Sequence, residues 1–366
     1  MVYRHSWAKS CISALLLGLL FISIIAGYII VRKLLPSASP NIAHGVNVDI
    51  TAMIQGTPYT VKTASGGNLF DLAAQLGINT LRITDIQWET SGKEYSQASW
   101  RYVFDEAEHH HMHVILLLED GGDYSAIQQA RTLLDRYGLA HASALWLVDL
   151  YNEPNLSDPQ LMAALNEEAA YVHRVAPAVP ITIGGWKSQV PGHPKMFNWQ
   201  DPSDIPRFIS LVDVVSPHLY EFEEAAQRGF TPRQWTHGFL SAVHQEASHK
   251  PILLEEFGAG NGLAPTYESS ATGSPKWQAY VYGCVLQEVA AEYNQEVIGA
   301  VAWIIAPRPP QPYFNPLVYE RDMTGWAFVL NHGQHLLPAA GCFQVDHAAC
   351  FCDWGERLSG AKGLPI

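Results

Sequence analysis

Positive charge is what this sequence has least to spare. There are 22 Lys and Arg against 35 Asp and Glu, and charged residues of both signs fill only 16% of the 366 positions. So few cations leave little with which to neutralise phosphates, which argues against nucleic acid as a partner. The shortage is sharper than the net charge of −13 suggests. Arg4, Lys9, Arg32 and Lys33 all lie in the first 40 residues, which hold no acid, so the remainder sets 18 basic against 35 acidic groups. A neutral polymer such as a polysaccharide meets no such repulsion. Low-complexity and collagen-like stretches are also missing, and the 28 Gly and 23 Pro are spread along the chain as turn residues would be. Cysteine is sparse: Cys11, Cys284 and a late cluster of Cys342, Cys350 and Cys352. The cluster lacks a paired C-x-x-C, which speaks against zinc, and suits a disulfide in an exported domain.

What is present divides the chain in two. From Cys11 to Val31 the sequence is uncharged and apolar, close to the ~20 residues that span a bilayer as a helix. Arg32 and Lys33 close this run where a cleaved signal peptide would have small residues. The expectation is an N-terminal transmembrane anchor and linker over residues 1–40, with residues 41–366 outside the cytoplasm; secretion after cleavage near Pro36–Pro40 is the alternative. With 48% hydrophobic residues, the second part suffices for one large core.

Short β-rich runs alternate there with longer segments of helical period. Eight strands are predicted: His44–Asp49, Thr80–Thr84, His113–Leu118, Leu145–Tyr151, Pro180–Gly184, Val212–Ser216, Pro251–Glu255 and Ile298–Trp303. Between them Leu69, Leu72, Ala73 and Leu76 repeat at helical spacing and stop at Gly77. Trp100, Val103, Phe104 and Ala107 do the same. Eight strands with intervening helices predict a (β/α)8 barrel, whose chemistry sits at the C-terminal strand ends. The polar residues there include Asn47, Asp49, Arg82, Glu119, Asp120, Asn152, Glu153, His218, Tyr220, Glu255 and Glu256, with Trp186 and Trp303.

Two of these ends carry a recognisable pattern. Leu145–Pro154, ending Tyr-Asn-Glu-Pro, and Pro251–Gly258, ending Glu-Glu-Phe-Gly, resemble the fourth- and seventh-strand motifs of glycoside hydrolase clan A, most of all family 5, the cellulases and β-mannanases. The resemblance implies a retaining hydrolase of β-linked polysaccharide or oligosaccharide, of β-1,4-glucan or mannan type, with no cofactor and no metal. Glu153 would be the acid/base, Glu256 the nucleophile and Asn152 the holder of the sugar 2-hydroxyl. Arg82 resembles the second-strand Arg bonded to the nucleophile, His218 and Tyr220 the His-x-Tyr pair supporting sugar and nucleophile, and Trp303 the eighth-strand platform under the sugar ring. Glu255 is expected to face away, because neighbouring side chains on a strand alternate. Trp88, Trp199 and Trp235 are candidates for outer sugar subsites. The run His109, His110, His111 and His113 reads as a solvated surface, and the Pro-rich stretch at 306–313 as a stiff loop on the catalytic face.

The pattern departs from the family after the third strand, where Glu119 and Asp120 stand in place of a His. A carbohydrate-binding barrel without catalysis and a transglycosylase are the alternatives, the latter using the same covalent intermediate with a sugar as acceptor.

Overall fold

The computed structural model describes residues 42–57, 59–85, 95–118, 126–155, 158–186, 205–263, 273–292, 296–307, 326–343 and 352. Eight parallel strands pair in sequence order and close into a barrel, the last returning to the first. They are β1 (Ala43–Asp49), β2 (Thr80–Thr84), β3 (His113–Leu117), β4 (Leu145–Asn152), β5 (Ile181–Trp186), β6 (Ser216–Leu219), β7 (Ile252–Phe257) and β8 (Val297–Ala302). This is the predicted (β/α)8 architecture. Only β6 sits away from its expected place. Val212, Val214 and Val215 are buried, yet of these only Val215 contributes a bridge, to Ile252. The ladder proper starts at the polar Ser216, so hydrophobicity marked the filling of the barrel better than its hydrogen bonding.

One end of that interior is apolar. Ala43, Ile115, Leu147, Val214, Leu253 and Val301 form a buried cluster, each large side chain worth roughly 1.5–3 kcal/mol of burial. The helices follow their sequence signals. Leu69–Leu76 starts at Asn68, whose side chain bonds the Asp71 N–H while Asp71 bonds back, and stops at Gly77 with φ 80°. Gln97–His109 buries Trp100, Val103, Phe104 and Ala107, the four residues picked out by periodicity.

The anchor expectation is corrected. Among the described residues no helix is long and apolar enough to cross a membrane. The segment on which the expectation rested, residues 11–31, lies outside the described residues. A hydropathy run meets a length criterion, whereas a span requires a helix.

Behind the barrel, Cys284 on the helix Pro275–Glu292 is bonded to Cys352, 68 residues later. Cys352 therefore pairs outside the late cluster; Cys342 is disulfide-bonded as well. Between the helix and the C-terminal segment, Tyr282 meets Phe328 and Phe343 edge-on, and those two rings stack at 5.5 Å. Closing a loop of this size stabilises a fold by about 2–4 kcal/mol. The double variant Cys284→Ser/Cys352→Ser should lose that amount in denaturant titration of the oxidised protein; an unchanged midpoint would show that the link adds nothing.

Candidate active site

The site is built outward from one cation. Arg82 projects from β2 into the barrel and is fully buried. A guanidinium has five N–H donors, and here each has an acceptor. Nε and Nη2 donate to Asp149 Oδ2 at 3.0 and 2.6 Å, and Nη2 also to Asn152 Oδ1 at 2.8 Å. Nη1 donates to Asn47 Oδ1 at 2.7 Å and to Glu256 Oε1 at 2.6 Å. Burial works against the charge of Arg82, but Asp149, Glu255 and Glu256 outweigh it and push its pKa up.

Strand alternation alone does not assemble this shell. Leu147 and Leu253 face the interior cluster, so a strict two-residue period turns Asp149 and Glu255 inward and Asn152 and Glu256 outward. Both strands break that period. The register shifts in β4 between Asp149 and Asn152, and in β7 between Leu254 and Phe257, and such irregularities re-aim side chains. Asp149 and Asn152 thus both reach Arg82. Glu255 and Glu256 do too, correcting the expectation that Glu255 faces away: its Oε1 lies 3.3 Å from Arg82 Nε and its side chain is fully buried.

Around Glu256 the remaining groups converge from neighbouring strands. Tyr220, just past β6, donates its hydroxyl to Glu256 Oε2 at 2.6 Å. His218 Nδ1 lies 2.9 Å from Glu153 Oε1 and 3.5 Å from Glu256 Oε2. One oxygen of Glu153, one of Glu256 and a His218 ring nitrogen all fall within 4.8 Å of one another. The two carboxyls nonetheless sit in different surroundings: the Glu153 side chain is 38% exposed, that of Glu256 6%.

Glu153 is placed by its backbone. It has φ 49°, in the left-handed region, and its N–H donates to the Gly184 carbonyl at 2.8 Å. Opposite it stands Gly185, φ 95°, where a Cβ would come within 2.8 Å of the Glu153 Cα. Gly184 is equally confined: a Cβ there would lie 2.8 Å from Glu255 Oε2, 2.9 Å from Arg82 Nη2 and 3.1 Å from His218 Nε2.

The structure thus brings together Arg82, Asn152, Glu153, His218, Tyr220 and Glu256. It adds Asn47, Asp149 and Glu255, which were not assigned roles from the sequence. The signal for Asp149 was there, an acid inside the otherwise apolar run Leu145–Leu150. Trp303 follows β8, its N–H donating to the Phe257 carbonyl and its own carbonyl accepting from Tyr282. Trp326 meets Tyr220 edge-on at 5.6 Å.

Trp235 is corrected from a sugar subsite to a packing residue, being 4% exposed with its indole N–H on the Tyr220 carbonyl. In the histidine run, His110 stacks on Phe70 and meets His109 edge-on, while His113 packs on Trp146. Trp88, Glu119, Asp120, Trp199 and most of the Pro-rich stretch lie outside the described residues, as does the Trp186 side chain. Away from the mouth, His237, Glu288 and Glu292 also bring donor atoms within 4.8 Å of one another, and Arg233 pairs with Glu288 there at 3.1 Å.

Removing the central cation should expose what it compensates. Arg82→Met is expected to cost about 3–5 kcal/mol, the range for stranding buried charges. Burial already pushes the Asp149 carboxyl up, against the pull of Arg82. Without Arg82 the folded state retains protons that the unfolded state gives up, so stability falls as pH rises above about 4. Denaturant titrations should therefore show a larger deficit at neutral than at acid pH; a pH-independent deficit would contradict this account.

No protein-family model matches the chain and no curated protein matches it. Solved structures do. The chain is similar to a hyperthermostable endo-1,4-β-D-mannanase from Thermotoga petrophila, with TM-score 0.53 and 15% identity over 78% of this chain and 94% of that one. It is similar to a glycoside hydrolase family 5 mannosidase from Rhizomucor miehei, with TM-score 0.51 and 14% identity over 79% and 89% of the two chains. A β-glucosidase designated 1317 gives TM-score 0.56 and 14% identity over 83% and 97%. At such identities the likeness is one of fold, and the resemblance to family 5 first seen in two strand-end motifs is matched by the barrel that carries them.

Proposed function

We propose that this protein is a retaining glycoside hydrolase acting on β-linked oligosaccharides or polysaccharides, with Glu153 as acid/base and Glu256 as nucleophile. The observation that carries the reading is the approach of the two carboxyls to within 4.8 Å, oxygen to oxygen. Retaining enzymes hold their carboxyls about 5–5.5 Å apart, whereas inverting ones leave roughly 6.5–9.5 Å for a water.

In the first step a Glu256 oxygen attacks the anomeric carbon as the glycosidic C–O bond breaks, and Glu153 gives its proton to the departing oxygen. In the second, Glu153 takes a proton from water, whose oxygen attacks the same carbon and releases Glu256. Arg82 and Tyr220 each place a hydrogen-bond donor on Glu256, which steadies the carboxylate before attack and when it leaves. Asn152 has its Oδ1 turned to Arg82, so its amide N–H2 is the donor for a sugar 2-hydroxyl. The mannan- and β-glucoside-cleaving enzymes among the structural neighbours support a β-linked substrate.

The purified protein should hydrolyse at least one member of a panel of β-glucans, β-mannans and aryl β-glycosides. Glu153→Gln should lower the rate about 10²–10⁴-fold, and Glu256→Gln at least as much. NMR should find the first-formed product with its anomeric configuration retained. Activity that survives both substitutions would refute the residue assignment, and an inverted product would refute the double displacement.

A further inference from the structure

Glu255 has no part in the double displacement, yet it lies fully buried against the groups that do. Around one guanidinium stand three carboxylates, Asp149, Glu255 and Glu256, so ionising all three would leave an excess of two negative charges in the barrel. The donors decide which carboxyl holds a proton. Asp149 receives two N–H bonds from Arg82 and one from the Gly184 backbone at 3.0 Å. Glu256 receives one from Arg82 and one from Tyr220. Glu255 receives none from Arg82, whose five N–H groups are all placed on other acceptors, and both its oxygens lack a hydrogen-bond partner among the charged groups.

Of the other polar groups facing Glu255, only the Ser216 hydroxyl offers a donor. From β6 come the ring of His218 and the Ser216 hydroxyl, which accepts from Thr182 at 2.7 Å and turns its own proton to Glu255, the weakest of the influences on that carboxyl. Glu255 Oε2 and His218 Nε2 both close on Gly184, at 2.8 and 3.1 Å from where a methyl group would sit. His218 Nε2 is itself buried without a hydrogen-bond partner, while Nδ1 is engaged by Glu153. The titratable and charged groups around Glu255 are thus Arg82 on β2, Asp149 on β4, His218 on β6 and Glu256 beside it on β7. A carboxylate enclosed in this way with no donor beyond one neutral hydroxyl is far costlier than a neutral acid.

We propose that Glu255 is a positioning residue that carries a proton in the working protein, so that Arg82 divides its charge between Asp149 and the nucleophile alone. Burial, followed by the nearby Asp149 charge, pushes its carboxyl well above the usual range. The neutral acid fills the barrel beside Arg82 without competing for its N–H groups, which keeps Nη1 on Glu256. The catalytic consequence rests on the hydrolase reading; the protonation does not.

Three measurements test this. In infrared spectra at neutral pH, wild type should show the carbonyl band of a neutral carboxylic acid that Glu255→Gln lacks. Absence of that band would overturn the proposal. The folded state of wild type holds a proton that the unfolded chain releases above about pH 4.3, so its folding constant should fall with rising pH relative to Glu255→Gln, by up to tenfold per pH unit. Parallel pH dependences would overturn it. Glu255→Ala should lower kcat at least tenfold with little change in KM, and Gln, the isostere of the neutral acid, should restore most of it. A Gln variant as impaired as Ala would overturn the positioning role. Should Gln fail to fold, Glu255→Met, neutral and of similar size, replaces it in the first two comparisons. If wild type cleaves no glycoside at all, the hydrolase reading fails while the infrared and stability measurements still decide the proton.

Discussion

The ion pair between Arg82 and the carboxylates around it is the constraint on which the rest of the site depends. A buried guanidinium tolerates almost no arrangement except one in which every N–H is answered. Satisfying five donors has drawn in residues from β1, β4 and β7. The barrel supplies the convergence, because parallel strands bring residues distant in sequence to one mouth. The cation supplies the spacing within that mouth. Neither does so alone: an apolar plug at one end, formed by residues such as Ile115, Leu147 and Leu253, is what leaves the other end free to be polar.

Two departures from ideal strand geometry convert the scaffold into a site. In a regular strand, half of the positions face the other surface. The register shifts in β4 and β7 recover them, so that Asp149 with Asn152, and Glu255 with Glu256, act on the same side. Ladder regularity is sacrificed where it would have hidden a functional group.

Much of the fold could be read in the chain because the signals were redundant. Each strand was a short apolar run bounded by breakers, and each helix such as Leu69–Leu76 had a period, a cap and a stop. The main site residues were readable for another reason: Arg82, Asn152, Glu153, His218, Tyr220 and Glu256 stand at strand ends in a motif order. What escaped was interior and polar. Asp149 sits among Leu, Val and Tyr and looks like an exception to a hydrophobic run. Asn47 was noticed at a strand end but has no motif of its own. Glu255 was misplaced by a period that the strand does not keep. The Cys284–Cys352 link joins sites whose nearness is a property of the packed helix, and no spacing rule reaches that far.

The backbone beneath Glu153 has a further implication. With the residue in a left-handed conformation against Gly185, the main chain has no slack in which to follow a change in the side chain. The position of the carboxyl is therefore set by the length and torsions of the side chain. A shorter acid would retract from His218 by the full length of a methylene instead of being carried back by local rearrangement. The site is consequently gauged to one side-chain length just beyond β4.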